Sequence, residues 1–190
     1  MPITISGDSP NLTSAGLASP VFSGTPTGTG VLTSGTAQAS TSGTSIDFTS
    51  IPSWVKRITV MFNGVSVSGT SVMQVQLGDA GGVENTGYNA SAGVVTGGYP
   101  GAVGVTTATS GFTIQSTQQT AAFLMSGHLT ITNISGNIWV ASGVLGNSIT
   151  GTLFLYAGTK TLSDTITQLR ITTVNGTDTF DAGSINILYE

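Results

Sequence analysis

The sequence predicts an all-β protein, a jelly-roll-like or related antiparallel β-sandwich preceded by an extended N-terminal arm. Three observations carry this. First, only 6% of the 190 residues are charged, 27 are Gly, and Ser and Thr make up about 29%. Helix formers are correspondingly scarce. Second, from about Thr44 onward apolar residues recur with the period of two that half-buried strands require. Third, turn signals punctuate that alternation at short intervals, and no window shows helical periodicity.

Residues 1–40 form one compositional block. It contains a single charge, Asp8, and four of the six prolines, Pro2, Pro10, Pro20 and Pro26. Such a block cannot bury a core of its own. Its apolar residues Ile3, Ile5, Leu12, Leu17, Val21 and Phe22 stand nearly singly between Ser, Thr and Gly. That spacing suits an anchoring arm following a groove on another surface, where many small apolar contacts would carry the attachment. Residues 41–190 are then the β-sandwich domain.

Along the domain, Ile58, Val60 and Phe62 share one strand face. Leu129 with Ile131, Leu153 with Leu155, Leu169 with Ile171, and Ile185, Ile187 and Tyr189 repeat the pattern. Eight or so strands are expected, with Thr130, Thr132, Thr152, Thr172 and Asn186 on opposite faces. Turns are expected at Asn63-Gly64, Ser68-Gly69, Ser135-Gly136-Asn137 and Gly158, and a hairpin above all at Asn175-Gly176. Between Gly78 and Phe112 the glycines are dense, and the segment reads as long loops with one strand near Ala92 to Thr96. A domain of this size buries about two-thirds of its unfolded surface, enough to fold alone.

Composition excludes several classes of function. A net charge of -4 with four scattered basic residues leaves nothing to neutralise a run of phosphates, so no direct nucleic-acid partner is expected. No stretch approaches the roughly eighteen apolar residues of a spanning helix, so membrane insertion is not expected either. The chain has no Cys, hence no disulfide framework and no thiolate nucleophile. The start Met1-Pro2-Ile3-Thr4 has neither a basic n-region nor an apolar h-region, and no signal peptide is expected.

Candidate chemistry is sparse. The single histidine, His128, would have to serve any Ser/His/Asp triad, but no G-x-S-x-G elbow surrounds a serine. One His and no Cys do not fill a tetrahedral metal site. Asp79 with Glu84, and Asp178 with Asp181, are the carboxylate pairs to test for a hard cation or a glycosidase, against turn hydrogen bonding. No catalytic residue, metal or cofactor is assigned. The most credible ligand chemistry is glycan binding, since sugars stack on exposed aromatic faces, and Tyr88 and Tyr99 sit in the glycine-rich segment. Trp54 and Trp139, beside apolar strand residues, read as packing.

Three stretches carry a family resemblance. Ser19-Pro20-Val21-Phe22-Ser23-Gly24-Thr25-Pro26-Thr27 resembles the short repeats in bacteriophage tail-fibre stalks. Residues 43–62, from Gly43-Thr44-Ser45-Ile46 through Trp54-Val55-Lys56-Arg57 to Phe62, are similar to the opening of a β-rich module of phage virion proteins. Residues 170–189, from Arg170-Ile171-Thr172-Thr173 through Asn175-Gly176 to Tyr189, resemble its close. The resemblance implies a non-enzymatic structural role on the exterior of a virion, and a homotrimer. A small capsid decoration or cement protein, or head fibre, is the first expectation, with the major capsid protein or another virion protein as partner. A short tail fibre or receptor-binding tip recognising host-surface glycans is the alternative.

Overall fold

A computed structural model describes residues 31–96, 104–116, 121, 123–147, 149 and 151–190. Among these residues the chain forms two antiparallel sheets and no helix. Numbered in chain order, the larger sheet contains β1 (Thr33–Ser34), β2 (Gln38–Ala39), β4 (Arg57–Val67), β7 (Tyr88–Thr96) and β8 (Val105–Ala108). It is completed by β10 (Met125–Ser135), β11 (Ile138–Asn147), β12 (Thr152–Thr161) and β14 (Phe180–Tyr189). The smaller sheet contains β3 (Ser45–Thr49), β5 (Met73–Asp79), β6 (Gly82–Val83), β9 (Phe112–Thr113) and β13 (Gln168–Thr173). The larger runs β1-β14-β4-β10-β11-β12-β7-β8, with β2 also beside β14; the smaller runs β3-β13-β5-β6, with β9 beside β5.

The core lies between the two sheets. Ile58, Val60, Leu129, Ile131, Leu145 and Phe154 come from the larger sheet, and Met73, Val75, Leu77, Leu169 and Ile171 from the smaller, all fully buried. The alternation at Ile58/Val60/Phe62, Leu129/Ile131, Leu169/Ile171 and Ile185/Ile187 therefore marks the inner faces, as expected. β12 is the exception. Its inner face is Phe154 and Tyr156, while Leu153 and Leu155 point to solvent at 49% and 47% exposure. In Thr152-Leu153-Phe154-Leu155-Tyr156 both alternation registers are apolar, and the larger aromatic rings took the interior.

Several turn signals have other roles. Asn63-Gly64 lies inside β4, where Gly64 has φ 62° at an irregularity in pairing with β14. Opposite it, Gly183 has φ 92°, and a Cβ there would collide with the Gly64 carbonyl and come within 2.6 Å of Asn63 O. These two glycines let β4 and β14 bulge against one another without losing the ladder. Gly158 lies within β12, where its bare Cα lets Ala90 of β7 pass close by. Asn175-Gly176 joins β13 to β14, which belong to different sheets, so it is a corner and not a hairpin. Asn175 Oδ1 accepts the Thr177 and Asp178 N–H groups there, an Asx turn that reverses the chain without pairing its flanks. Ser135-Gly136-Asn137 does close a hairpin, β10 to β11.

Strand pairing also begins earlier than composition suggested. Thr33, Ser34, Gln38 and Ala39 pair with β14. Ser40 is fully buried, its N–H on Gly183 O and its hydroxyl on Ala182 O. Residues 33–40 thus belong to the β-domain and not to a separate arm, because an exposed strand edge recruits backbone whatever the side chains are. The glycine-rich segment holds a nine-residue strand, β7, beginning at Tyr88, where a shorter strand near Ala92 was expected.

Candidate functional site

Each residue singled out in the sequence has a definite place or lies outside the described residues. Ile3, Ile5, Leu12, Leu17, Val21, Phe22 and Tyr99 are in the latter group. Tyr88 is a correction. Its ring is buried at 3% exposure, edge-on to Phe112 at 5.0 Å, and its hydroxyl accepts the Leu77 N–H at 2.6 Å and reaches Glu84 O at 3.1 Å. Burial pushes its phenol upward, and no face remains for a sugar. The tyrosine serves as a core residue because β7 lays its even-numbered side, Tyr88, Ala90 and Ala92, against the smaller sheet.

Trp139 is buried at 3%, and Trp54 is partly buried against Tyr189, centroids 5.9 Å apart, so both pack as expected. His128 stands on the outer face of β10, opposite Met61 of β4 and Val144 of β11, with no acid beside it in the register.

The carboxylates are committed internally. Asp79 and Glu84 converge on Ser163, whose Oγ lies 2.6 Å from Asp79 Oδ2 and 2.7 Å from Glu84 Oε1. Glu84 is also ion-paired to Lys160, whose ammonium donates to Thr86 O at 2.9 Å and sits 5.2 Å from the centre of the Tyr88 ring. Asp79 is held below its ordinary pKa by the Ser163 hydroxyl and the Gly81 N–H. For Glu84 burial pushes upward, but Lys160 and Ser163 together outweigh it and the net shift is downward. This network ties the β5–β6 turn to the end of β12. Asp178 accepts from Asn175 Nδ2 and the Ser71 N–H, again a turn function. Among the described residues no three metal-ligating side chains cluster.

Of the four basic residues, Arg57 pairs with Glu190, Lys160 with Glu84, and Arg170 bidentately with Asp47 at 2.7 Å. Pairing of this kind gathers charge at strand ends and on the smaller sheet.

What remains is a broad uncharged surface, the outer face of β7, β8, β10, β11 and β12 in the larger sheet. The strand registers place Met61, His128, Val144, Leu155, Gly93 and Val105 in one row across β4, β10, β11, β12, β7 and β8. A second row is Thr59, Thr130, Ser142, Ala157, Ser91 and Thr107. On the other side of the first, Gly146, Leu153 and Val95 align. Val95, Val105, Val144, Leu153 and Leu155 are 54%, 66%, 42%, 49% and 47% exposed. Sequence reasoning missed this surface because it assigned Leu153 and Leu155 to the regular core pattern; the signal available was the doubly apolar run in β12. The smaller sheet instead carries a polar hollow of about 300 Å³ lined by Gln74, Gln76, Asn85, Arg170 and Asn175.

No helix among the described residues is long and apolar enough to cross a membrane. The chain matches no protein-family model, no curated protein and no solved structure.

Proposed function

We propose that this chain is a non-enzymatic structural protein of a bacteriophage virion, a small capsid decoration or cement protein or head fibre. Its N-terminal residues dock on the particle and its β-sandwich projects outward as part of a homotrimer. The observation that carries the reading is the broad charge-free outer face that β7, β8, β10, β11 and β12 form in the larger sheet. Uncharged strand faces meet other protein without desolvating ions, which is what a subunit packed in an assembly needs. The internal commitment of Asp79, Glu84 and Asp178 leaves them to fold the chain. The sequence resemblance at residues 19–27, 43–62 and 170–189 supplies the virion context.

The test is binding of purified full-length protein, and of a version lacking residues 1–30 that keeps β1 and β2, to particles stripped of the protein and to intact host cells. Arm-dependent binding to particles alone is expected. Binding to cells that does not need residues 1–30 would overturn the reading in favour of a receptor-binding fibre.

That second reading has one observation in its favour, the polar hollow on the smaller sheet. Amide and guanidinium side chains are suitable partners for sugar hydroxyls. With Tyr88 buried, a glycan would be held there, and Arg170→Ala would weaken binding to host polysaccharide.

A further inference from the structure

The outer face of the larger sheet has a relief that repays attention. Along the first row Val144 and Leu155 stand side by side and project, and Leu153 and Val95 extend this ridge in the next row. Beside the ridge, Ser142, Ala157 and Ser91 form a row of small side chains. Two shallow hollows follow from these small residues and from Gly93. An apolar ridge next to a small-residue trough is self-complementary: the ridge of one copy fills the trough of another.

We infer that this face, centred on Val144, Leu155, Leu153 and Val95, is the surface by which copies of this chain pack together. Charge is the first argument. The outward side chains of β7, β8, β10, β11 and β12 include no Asp, Glu, Lys or Arg, so two such faces meet with no like-charge repulsion and no ion to strip of water. Size is the second. Four strands about 4.8 Å apart, with ten residues of about 3.3 Å each, present about 600 Å² before β4 and β8 are added, against about 800 Å² per partner in a standard interface. Exposure is the third, because five Val and Leu side chains between 42% and 66% exposed on one contiguous face exceed the scatter of single apolar residues normal on a monomer.

The inference rests on the assembly reading above, and the two fail separately: particle binding tests the virion role, whereas mass tests the face. Sedimentation equilibrium of the full-length chain is compared with Leu155→Lys, Leu155→Thr and the control Val174→Lys, whose side chain is exposed away from this face. The unaltered chain and the control are expected at twice 19.1 kDa or a higher multiple. Leu155→Lys, folded as judged by an unchanged far-ultraviolet spectrum, is expected at least about 100-fold weaker in association, because it buries an unpaired ammonium. Leu155→Thr keeps strand propensity and is expected to weaken association by less. A monomeric unaltered chain overturns the inference, as does a Leu155→Lys chain with unchanged mass. An association lost on removal of residues 1–30 but unaffected by Leu155→Lys assigns the contact to the arm and also overturns it.

Discussion

Val144 of β11 stands directly opposite Leu155 of β12, and both side chains point away from the core. Their backbone neighbours in the same register, Leu145 and Phe154, pair with each other on the inner face and are fully buried. Two adjacent cross-strand pairs, both apolar, thus face opposite environments. On the assembly proposed above, the outer pair is covered by another copy of the chain.

The first prediction separates the two faces. Phe154→Ala removes a fully buried ring and is expected to cost about 3–5 kcal/mol at any protein concentration. Leu155→Ala is expected to cost stability only where chains associate, with an effect that shrinks toward about 0.5 kcal/mol or less on dilution. Urea unfolding at two concentrations well apart checks both. A concentration-independent loss for Leu155→Ala would place that side chain in the core.

The second concerns the buried ammonium. Lys160 is 5% exposed and balanced by Glu84. Lys160→Met keeps the aliphatic stem but strands the carboxylate, with an expected cost of at least about 2 kcal/mol. Combining it with Glu84→Gln is expected to cost less than the sum of the single changes, because the two act on one interaction. Strict additivity in the unfolding free energies would contradict the pairing.

Acid should weaken the fold by a defined route. The carboxyls of Asp79, Glu84 and Asp178 are all held below their ordinary values of 3.8, 4.5 and 3.8. The unfolded chain therefore binds protons more readily than the folded one. Their contribution is fully present above the unfolded values, and is lost as pH falls through them and on through the lower folded values. Unfolding midpoints are expected to be flat above about pH 5.5 and to fall steadily below it. Ser163→Ala, which removes the hydroxyl shared by Asp79 and Glu84, is expected to make that fall shallower. An unchanged slope would show that Ser163 does not set these shifts.

Gly183→Ala tests the bulge between β4 and β14. A methyl there meets the Gly64 and Asn63 carbonyls at a φ of 92°. The expected loss is at least about 2 kcal/mol, from backbone strain and a displaced ladder together. A thermal midpoint within a degree or two of the unaltered chain would mean that the strands separate there at little cost.

The residues that made the fold legible were those whose alternation has only one apolar register. Ile58-Thr59-Val60-Met61-Phe62 and Leu129-Thr130-Ile131-Thr132 each give one answer, and both are correct. Leu153-Phe154-Leu155-Tyr156 gives two, and only the competition for volume inside the sandwich decides between them. The same limit explains Tyr88, whose setting in a glycine-rich segment suggested an exposed loop. Its burial depends on Phe112 and Leu77, which are brought to it by the second sheet. Asn175-Gly176 shows a further limit, since turn chemistry fixes a local reversal but not which sheet the next strand joins. The candidate face was illegible for a related reason: a row such as Val144, Leu155 and Gly93 exists only once three strands are in register.

The chain has no cysteine, so a single introduced thiol reports on one position alone. The most direct test of the assembling face is the rate at which a thiol reagent modifies Leu155→Cys, compared with Val174→Cys, as protein concentration is raised. Both positions are about half exposed in one chain. The expected result is a rate at position 155 that falls steeply with concentration while the rate at 174 stays constant. Equal and concentration-independent rates at the two positions would contradict the account.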